Sequence, residues 1–411
     1  MASSGALGRR LVGFALVPAV SLVSSLLLLP TVSRTAGSAG WIALGVGQGV
    51  GAIAGVLVGA TYPVEGGNDI ARQPSPVYRR AYFAHSVLLR SILLVPSLAI
   101  GVPVILTLVP DEQVAALLFM LGTALNGMSA SWYYAGVGDP RGVLRFEAAV
   151  RLASYAVALV GMLAGLGVWF YGLMTVLGGV LSAVLNWVHV VGRRRGGPVR
   201  WWLVRRRLRH MALGSLSRLV QSSYLYGGSV VVGYVRPAAL GVYSAVEQVY
   251  RAGGNAVAFV PQAFVRWIHE QGTGTASAVA AGRRAVAAIS AVGLVGLGVW
   301  MLLGDLVVGY LFDGTIDPGT VGLLVIGATI VATLVRRSVE LLWMVPRGDQ
   351  RLVYRMNIGI APVGIALLAL AAAGGVAAMH LVGVYLVSEA TLIAVYCLKR
   401  PSAVARQGAA R

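Results

Sequence analysis

Eight ionisable side chains sit inside stretches of this sequence that are otherwise apolar: Arg90, Arg218, Arg251, Arg336, Arg337, Glu247, Glu340 and Glu389. A charge at the centre of a bilayer costs roughly 2.5–3.5 kcal/mol on insertion scales, so such groups face a protein interior or a watery cavity. Their spacing offers two chemistries. Glu247 and Arg251 are four residues apart, as are Arg336 and Glu340, which puts each pair on one helical face at ion-pair distance. Arginine in surplus would instead present a forked set of donors to an anionic group. Both readings stay open for Arg251 and Arg336. Arg90 and Arg218 lie within a few turns of an expected helix end, where they either hold a ligand or snorkel; Arg337 is expected to snorkel. Glu247 and Glu389 are candidates to take up a proton or cation, or to act as polar contacts between helices.

Other reactive types are sparse. His85 and His380 are isolated, with no second ligand at metal spacing, so no metal site is expected. The single cysteine, Cys397, excludes an intramolecular disulfide and a cysteine-based metal cluster. Asp313 and Asp317 lie on a short turn, without the large loop that an integral-membrane glycosyltransferase would use. No catalytic residue and no resident cofactor is expected, and the chain does not read as an enzyme.

The elements that must position these residues follow from composition. The 411 residues have a mean hydropathy of +0.79, with 57% hydrophobic and 11% charged residues. That is an all-α, polytopic membrane protein, in which apolar runs of about 20 residues each cross the hydrocarbon. The net charge of +19 raises a nucleic-acid partner. Most Lys and Arg fall in alternate loops, however, so the positive-inside rule accounts for the charge and no nucleic acid is expected. No long soluble segment leaves room for an ATPase or a catalytic module.

In chain order, helices are expected over Leu11–Pro30, Trp41–Tyr62, Tyr82–Val109, Val114–Ala135, Ala148–Leu166 and Trp169–Val191. Asp139–Arg151 is expected as a cytoplasmic loop before the fifth. Gly47, Gly51, Gly55 and Gly59 recur every fourth residue, a smooth strip for another helix backbone. A basic stretch over 193–210, with Trp201 and Trp202 among its arginines, is a cytoplasmic linker that could also grip anionic lipid. The stretch Leu216–Trp267 reads as a helical hairpin turning at Arg236-Pro237, one wall of a cavity. Further helices follow over Ala285–Phe312, Thr320–Met344, Ile358–Ala378 and Leu381–Leu398. The plan is about twelve helices with both termini cytoplasmic. It divides into an N-lobe (1–192), the linker (193–210) and a C-lobe (211–411).

Three places carry a resemblance. They are Thr35-Ala36-Gly37-Ser38-Ala39-Gly40-Trp41, then Trp132-Tyr133-Tyr134-Ala135-Gly136 with Leu144–Ala153, and Leu240-Gly241-Val242-Tyr243-Ser244-Ala245 with Pro261-Gln262-Ala263-Phe264. Together with the helix order, they resemble the Wzx-type polysaccharide (O-antigen) flippases of the multidrug/oligosaccharidyl-lipid/polysaccharide exporter superfamily. The resemblance implies two six-helix lobes around a central cavity. It also implies alternating access that moves a polyprenyl-pyrophosphate-linked oligosaccharide from the cytoplasmic to the outer leaflet. On that reading the pyrophosphate would be held by Arg90, Arg218, Arg251 and Arg336. Glu247, Glu340 and Glu389 would balance charge or couple transport to an H+ or Na+ gradient. Sugar contacts would come from Gln48, Asn126, Gln221, Tyr224, Tyr243, Gln248, Tyr250 and Asn255, although each could equally bond or pack between helices. The expected partners are the lipid-linked oligosaccharide, membrane lipids and a polysaccharide polymerase. The expected state is a monomer in the plasma membrane. The alternative is a cation-coupled multidrug or small-molecule exporter of the same superfamily.

Overall fold

The computed structural model describes residues 4–73, 75–192, 216, 218–257, 260–270 and 275–399. The expected basic linker at 193–210 and the tail beyond 399 lie outside them. Among the described residues the regular structure is helical throughout, and nine helices are long and apolar enough to cross a membrane. Two compact units divide between Val230 and Val231.

The first unit opens with α1 (Ser4–Gly59), in which two helices, as expected, run together across a kink. The break between them is confined to Gly37, whose φ of 52° and ψ of −134° suit only a residue without Cβ. A wide π-helical turn (Tyr62–Gly66) and the short α2 (Gly67–Ala71) lead to α3 (Pro76–Leu108). Ser75 caps α3 by accepting the Tyr78 N–H, and Pro76 occupies the first turn, where its missing N–H costs nothing. The helix runs on through Pro96 and Pro103. The next span is broken: α4 (Gln113–Ala124), a 3-10 turn (Leu125–Met128), then α5 (Ser131–Val137).

The fifth span corrects the sequence reading. The segment expected as a loop up to Arg151 is helical from Pro140, through α6 (Pro140–Val143), a π-helical turn (Leu144–Ala148) and α7 (Ala149–Leu163). Asp139 accepts the Arg141 N–H and Pro140 stands at the first helical position, so the start signal was present in the sequence. The charges of Arg145, Glu147 and Arg151 masked it. After α8 (Val168–Val190) comes helical chain over 218–226.

The glycine strip carries the packing of the first unit. A Cβ on Gly47 would lie 2.6 Å from the Ala116 carbonyl oxygen, and one on Gly51 would lie 2.5 Å from that of Met120. Only glycine lets the α1 and α4 backbones meet so closely. Away from this core, α7 turns Val157, Val160 and Leu163 outward, as a lipid-facing helix does.

The second unit begins within α9 (Gly228–Val235), and the expected turn at Arg236-Pro237 leads to α10 (Leu240–Val257). It continues with α11 (Val260–Glu270), α12 (Ala276–Phe312), α13 (Gly319–Ser338), a π-helical turn (Val339–Met344), α14 (Gln350–Ala373) and α15 (Gly383–Leu398). Helix α13 is central, packed against α10, α12 and α15. The outer face of α12 exposes Val295, Leu302 and Leu306.

Candidate functional site

In the first unit the candidate site grows from the broken span. Asn126, Gly127, Ser129 and Ser131 are poor helix formers, and the chain leaves the helix there. A break inside a membrane frees backbone groups that water cannot reach, and each must find a partner. Two charged side chains supply them. Arg90, wholly buried, donates Nη1 to the carbonyls of Gly127 (3.2 Å) and Ser129 (2.8 Å). Its Nε donates to the Ser86 carbonyl and its Nη2 to Ser86 Oγ. From the other half, the Glu147 carboxylate accepts the Ala130 N–H (2.6 Å) and the Ser129 hydroxyl (2.7 Å). Opposite charges therefore clasp one turn from two sides without touching each other. The Arg90 guanidinium also lies 5.6 Å from the Tyr62 ring centroid and 5.7 Å from that of Trp132, within cation–π range.

Arg218 reaches the same end of α1. It donates Nη1 to the carbonyl of Ala60, the left-handed residue that closes the helix, and is half-buried. A cation there also suits the negative end of the helix dipole. Arg90 and Arg218 thus meet the stretch 60–62 through a ring and a carbonyl respectively.

On the exposed side of the break is a pair whose first member was expected in a continuous helix and whose second was expected in a loop. Arg151 Nη2 donates to Asn126 Oδ1 at 2.8 Å; Asn126 is exposed and Arg151 partly so. Each stands about halfway along its span, Asn126 within Gln113–Val137 and Arg151 within Pro140–Leu163.

The second unit solves the burial of charge by direct pairing. Arg336 on α13 donates Nη1 to Glu340 at 2.7 Å and Nε to Glu389 on α15. Glu340 also accepts from Tyr396 (3.0 Å) and Asn357 (3.1 Å). Glu389 accepts the Thr333 hydroxyl, which meets the Tyr250 hydroxyl at 3.4 Å. Tyr250 stacks on Tyr385 at 5.1 Å. Tyr385 and Tyr243 in turn hydrogen-bond Glu247, whose Oε1 is 3.0 Å from Arg251 Nη2. One connected network thus joins α10, α13, α14 and α15 and holds three carboxylates against two guanidinium groups. Arg337, partly exposed beside it, donates to the Gly254 carbonyl.

Among the expected sugar contacts, Gln48 pairs with the Tyr171 hydroxyl, and Gln221 is partly buried on the helix over 218–226. Tyr224 and Gln248 are buried, whereas Asn126 and Asn255 are exposed. Tyr243 and Tyr250 belong to the network of the second unit. Sequence reasoning missed Glu147, Arg151, Thr333, Tyr385, Tyr396 and Asn357. The last four are neutral and look like ordinary helix residues until α13 and α15 are brought together. Among the described residues no three His, Cys, Asp or Glu side chains are grouped as a metal ion would require.

No family model and no curated protein matches the sequence. Solved structures do match along nearly the full length. One is an inward-facing multidrug resistance MATE family transporter of the MOP superfamily, at TM-score 0.63 and 14% identity, covering 94% of this chain and 96% of that one. The eukaryotic MATE transporter AtDTX14 matches at TM-score 0.61 and 13% identity, over 98% of both chains. A MOP superfamily transporter from Pyrococcus furiosus, described as having a binding pocket of reversed polarity, matches at TM-score 0.53 and 15% identity, over 95% and 94%. The chain has the all-helical, multi-pass fold of the MATE transporters of the MOP superfamily.

Proposed function

We propose that this protein is a secondary transporter that moves an anionic, lipid-carried substrate, a polyprenyl-pyrophosphate-linked oligosaccharide, from the cytoplasmic to the outer leaflet by alternating access. The observation that carries this reading is the set of arginines and carboxylates held inside otherwise apolar helices of both units. Helices of the first unit hold Arg90 and Arg218 in this way, each donating to main-chain carbonyls. The connected network of the second holds Glu247, Glu340 and Glu389 against Arg251 and Arg336. Arginine suits a pyrophosphate, since a forked guanidinium matches phosphate oxygens. The buried carboxylates Glu247 and Glu389 are the groups that take up an H+ or Na+ on this reading, and its gradient drives the cycle. The protein then sits in the plasma membrane with both termini cytoplasmic, the side its basic loops favour.

A second reading, a cation-coupled exporter of small molecules, has its own support. All four arginines expected at the pyrophosphate, Arg90, Arg218, Arg251 and Arg336, already have intramolecular partners. Deletion of the gene with lipid analysis separates the two. The flippase reading requires lipid-linked oligosaccharide to accumulate on the cytoplasmic leaflet; unchanged surface polysaccharide and lipid intermediates would hand the case to the exporter.

A further inference from the structure

We propose that Arg347 and Lys399, with the first turn of α14, form a binding site for a phosphoryl oxyanion in the second unit. The site involves none of the buried network's residues and does not rest on the transport reading.

A repeat within the chain exposes it. Gly138-Asp139-Pro140-Arg141-Gly142-Val143-Leu144-Arg145 and Gly348-Asp349-Gln350-Arg351-Leu352-Val353-Tyr354-Arg355 share the glycine, the aspartate, both arginines and the valine. The two turns are built alike. Gly138 and Gly348 are left-handed, at φ 74° and 78°. Gly138 donates its N–H to the Ala135 carbonyl and Asp139 to that of Tyr134; Gly348 and Asp349 donate in the same register to Val345 and Met344. Each pattern closes one helix, and each aspartate stands at the N-cap of the next. From there the two diverge. Asp139 has a ψ of 89°, and its carboxylate caps the helix by accepting the Arg141 N–H at 3.1 Å. Asp349 has a ψ of 20° and makes no side-chain cap. Its carboxylate is drawn instead to two cations, Arg347 Nε at 3.4 Å and Lys399 Nζ at 3.3 Å. Where the second unit has Arg347, the first has Val137.

Two cations against one carboxylate leave a positive charge, and the start of a helix adds about half a charge of the same sign. The donors are uneven as well. Arg347 is only 5% exposed, and its Nη2 is buried with no hydrogen-bond partner among the described residues. Asp349 faces the Nε of the guanidinium, and the Trp343 ring lies against it with its centroid 5.1 Å away. Nη2 is the donor left over. A buried charged donor without an acceptor is costly. Water would satisfy the donor but leave the charge, whereas an anion answers both. Phosphoryl oxygens match a forked guanidinium together with the N–H groups at a helix start. The cluster can be reached, since Gly348 and Gln350 on either side of Asp349 are exposed and the Lys399 side chain is 36% exposed. Arg347, Asp349 and Lys399 all lie outside the apolar spans, which end at Met344, resume at Gln350 and end again at Leu398. A lipid head group and free phosphate are therefore the two sources of such an anion.

The test is calorimetric titration of the full-length protein in dodecyl maltoside, a phosphate-free detergent, with inorganic phosphate as probe and chloride at matched ionic strength as control. Wild type should bind phosphate. Arg347→Gln should weaken it about tenfold or more, the loss of a charged hydrogen bond. Lys399→Gln, at a partly exposed charge, should weaken it about threefold. Asp349→Asn should tighten it about threefold by removing the like charge, a gain that a merely structural role would not give. Asp139→Asn, at the matching turn of the first unit, should stay within about twofold of wild type. Melting temperature confirms that each variant is folded. Should Arg347→Gln fail to fold, Asp349→Asn decides: tightening supports the site, and unchanged or weaker binding overturns it. Phosphatidylglycerol added to the micelles identifies the source. Competition with phosphate in wild type that is lost in Arg347→Gln would assign the site to a head group; no competition would assign it to free phosphate, and either supports it. Wild type that binds neither, or phosphate binding that Arg347→Gln leaves unchanged, would overturn the site.

Discussion

The two units bury charge in opposite ways. In the second, carboxylates and guanidinium groups meet directly: Arg336 is held between Glu340 and Glu389, and Arg251 lies on Glu247. In the first, Arg90 and Glu147 form no ion pair, and each is satisfied by main-chain groups of a broken helix together with a serine hydroxyl. A buried ion pair gains little net stability but is costly to split, because removal of one partner strands the other. A charge satisfied by carbonyls is instead part of the local fold, and its removal undoes the turn it holds. The same residue type therefore serves as a charge-balanced network in one unit and as a structural clamp in the other.

That contrast yields graded expectations. The largest is for Arg336→Gln, which leaves Glu340 and Glu389 facing each other; a loss of about 3–5 kcal/mol is expected, read as a fall in folded yield and melting temperature. Adding Glu389→Gln should recover part of the loss, and no recovery would mean the network is not coupled. Next comes Arg90→Met, which strips the partners from the Gly127 and Ser129 carbonyls. A loss of about 2–4 kcal/mol is expected from stranded backbone groups. Here neutralising Glu147 should not rescue, since the two do not pair; rescue by Glu147→Gln would erase the distinction between the units. Gly51→Val, which sets a side chain against the Met120 carbonyl, should cost about 1–3 kcal/mol by overpacking. The smallest effect is for Arg145→Gln, exposed, with a change within about 0.5 kcal/mol.

The same contrast explains what the sequence made legible. Glu247–Arg251 and Arg336–Glu340 are local pairs, and a spacing of four on a helix reveals them before any fold is known. The glycine strip at Gly47 and Gly51 is legible for the same reason. Arg90 could not be paired from the sequence, because its partners are main-chain carbonyls 37 and 39 residues away, which have no residue identity to read. Glu389 was visible as a buried acid, but its meeting with Arg336, 53 residues earlier, needs α13 beside α15. Asn126 and Arg151 were legible only singly. The first looked like a residue of a continuous helix and the second like a loop charge, until the start at Pro140 moved the span.

The most direct test of the central claim is translocation by the purified protein in proteoliposomes. A fluorescent polyprenyl-pyrophosphate saccharide in one leaflet is followed by reductive quenching from outside under an imposed H+ or Na+ gradient. The account predicts transfer between leaflets that needs the gradient and is lost in Glu389→Gln. Equal transfer in empty vesicles, or gradient-driven export of an organic cation by protein that leaves the lipid where it was, would contradict it.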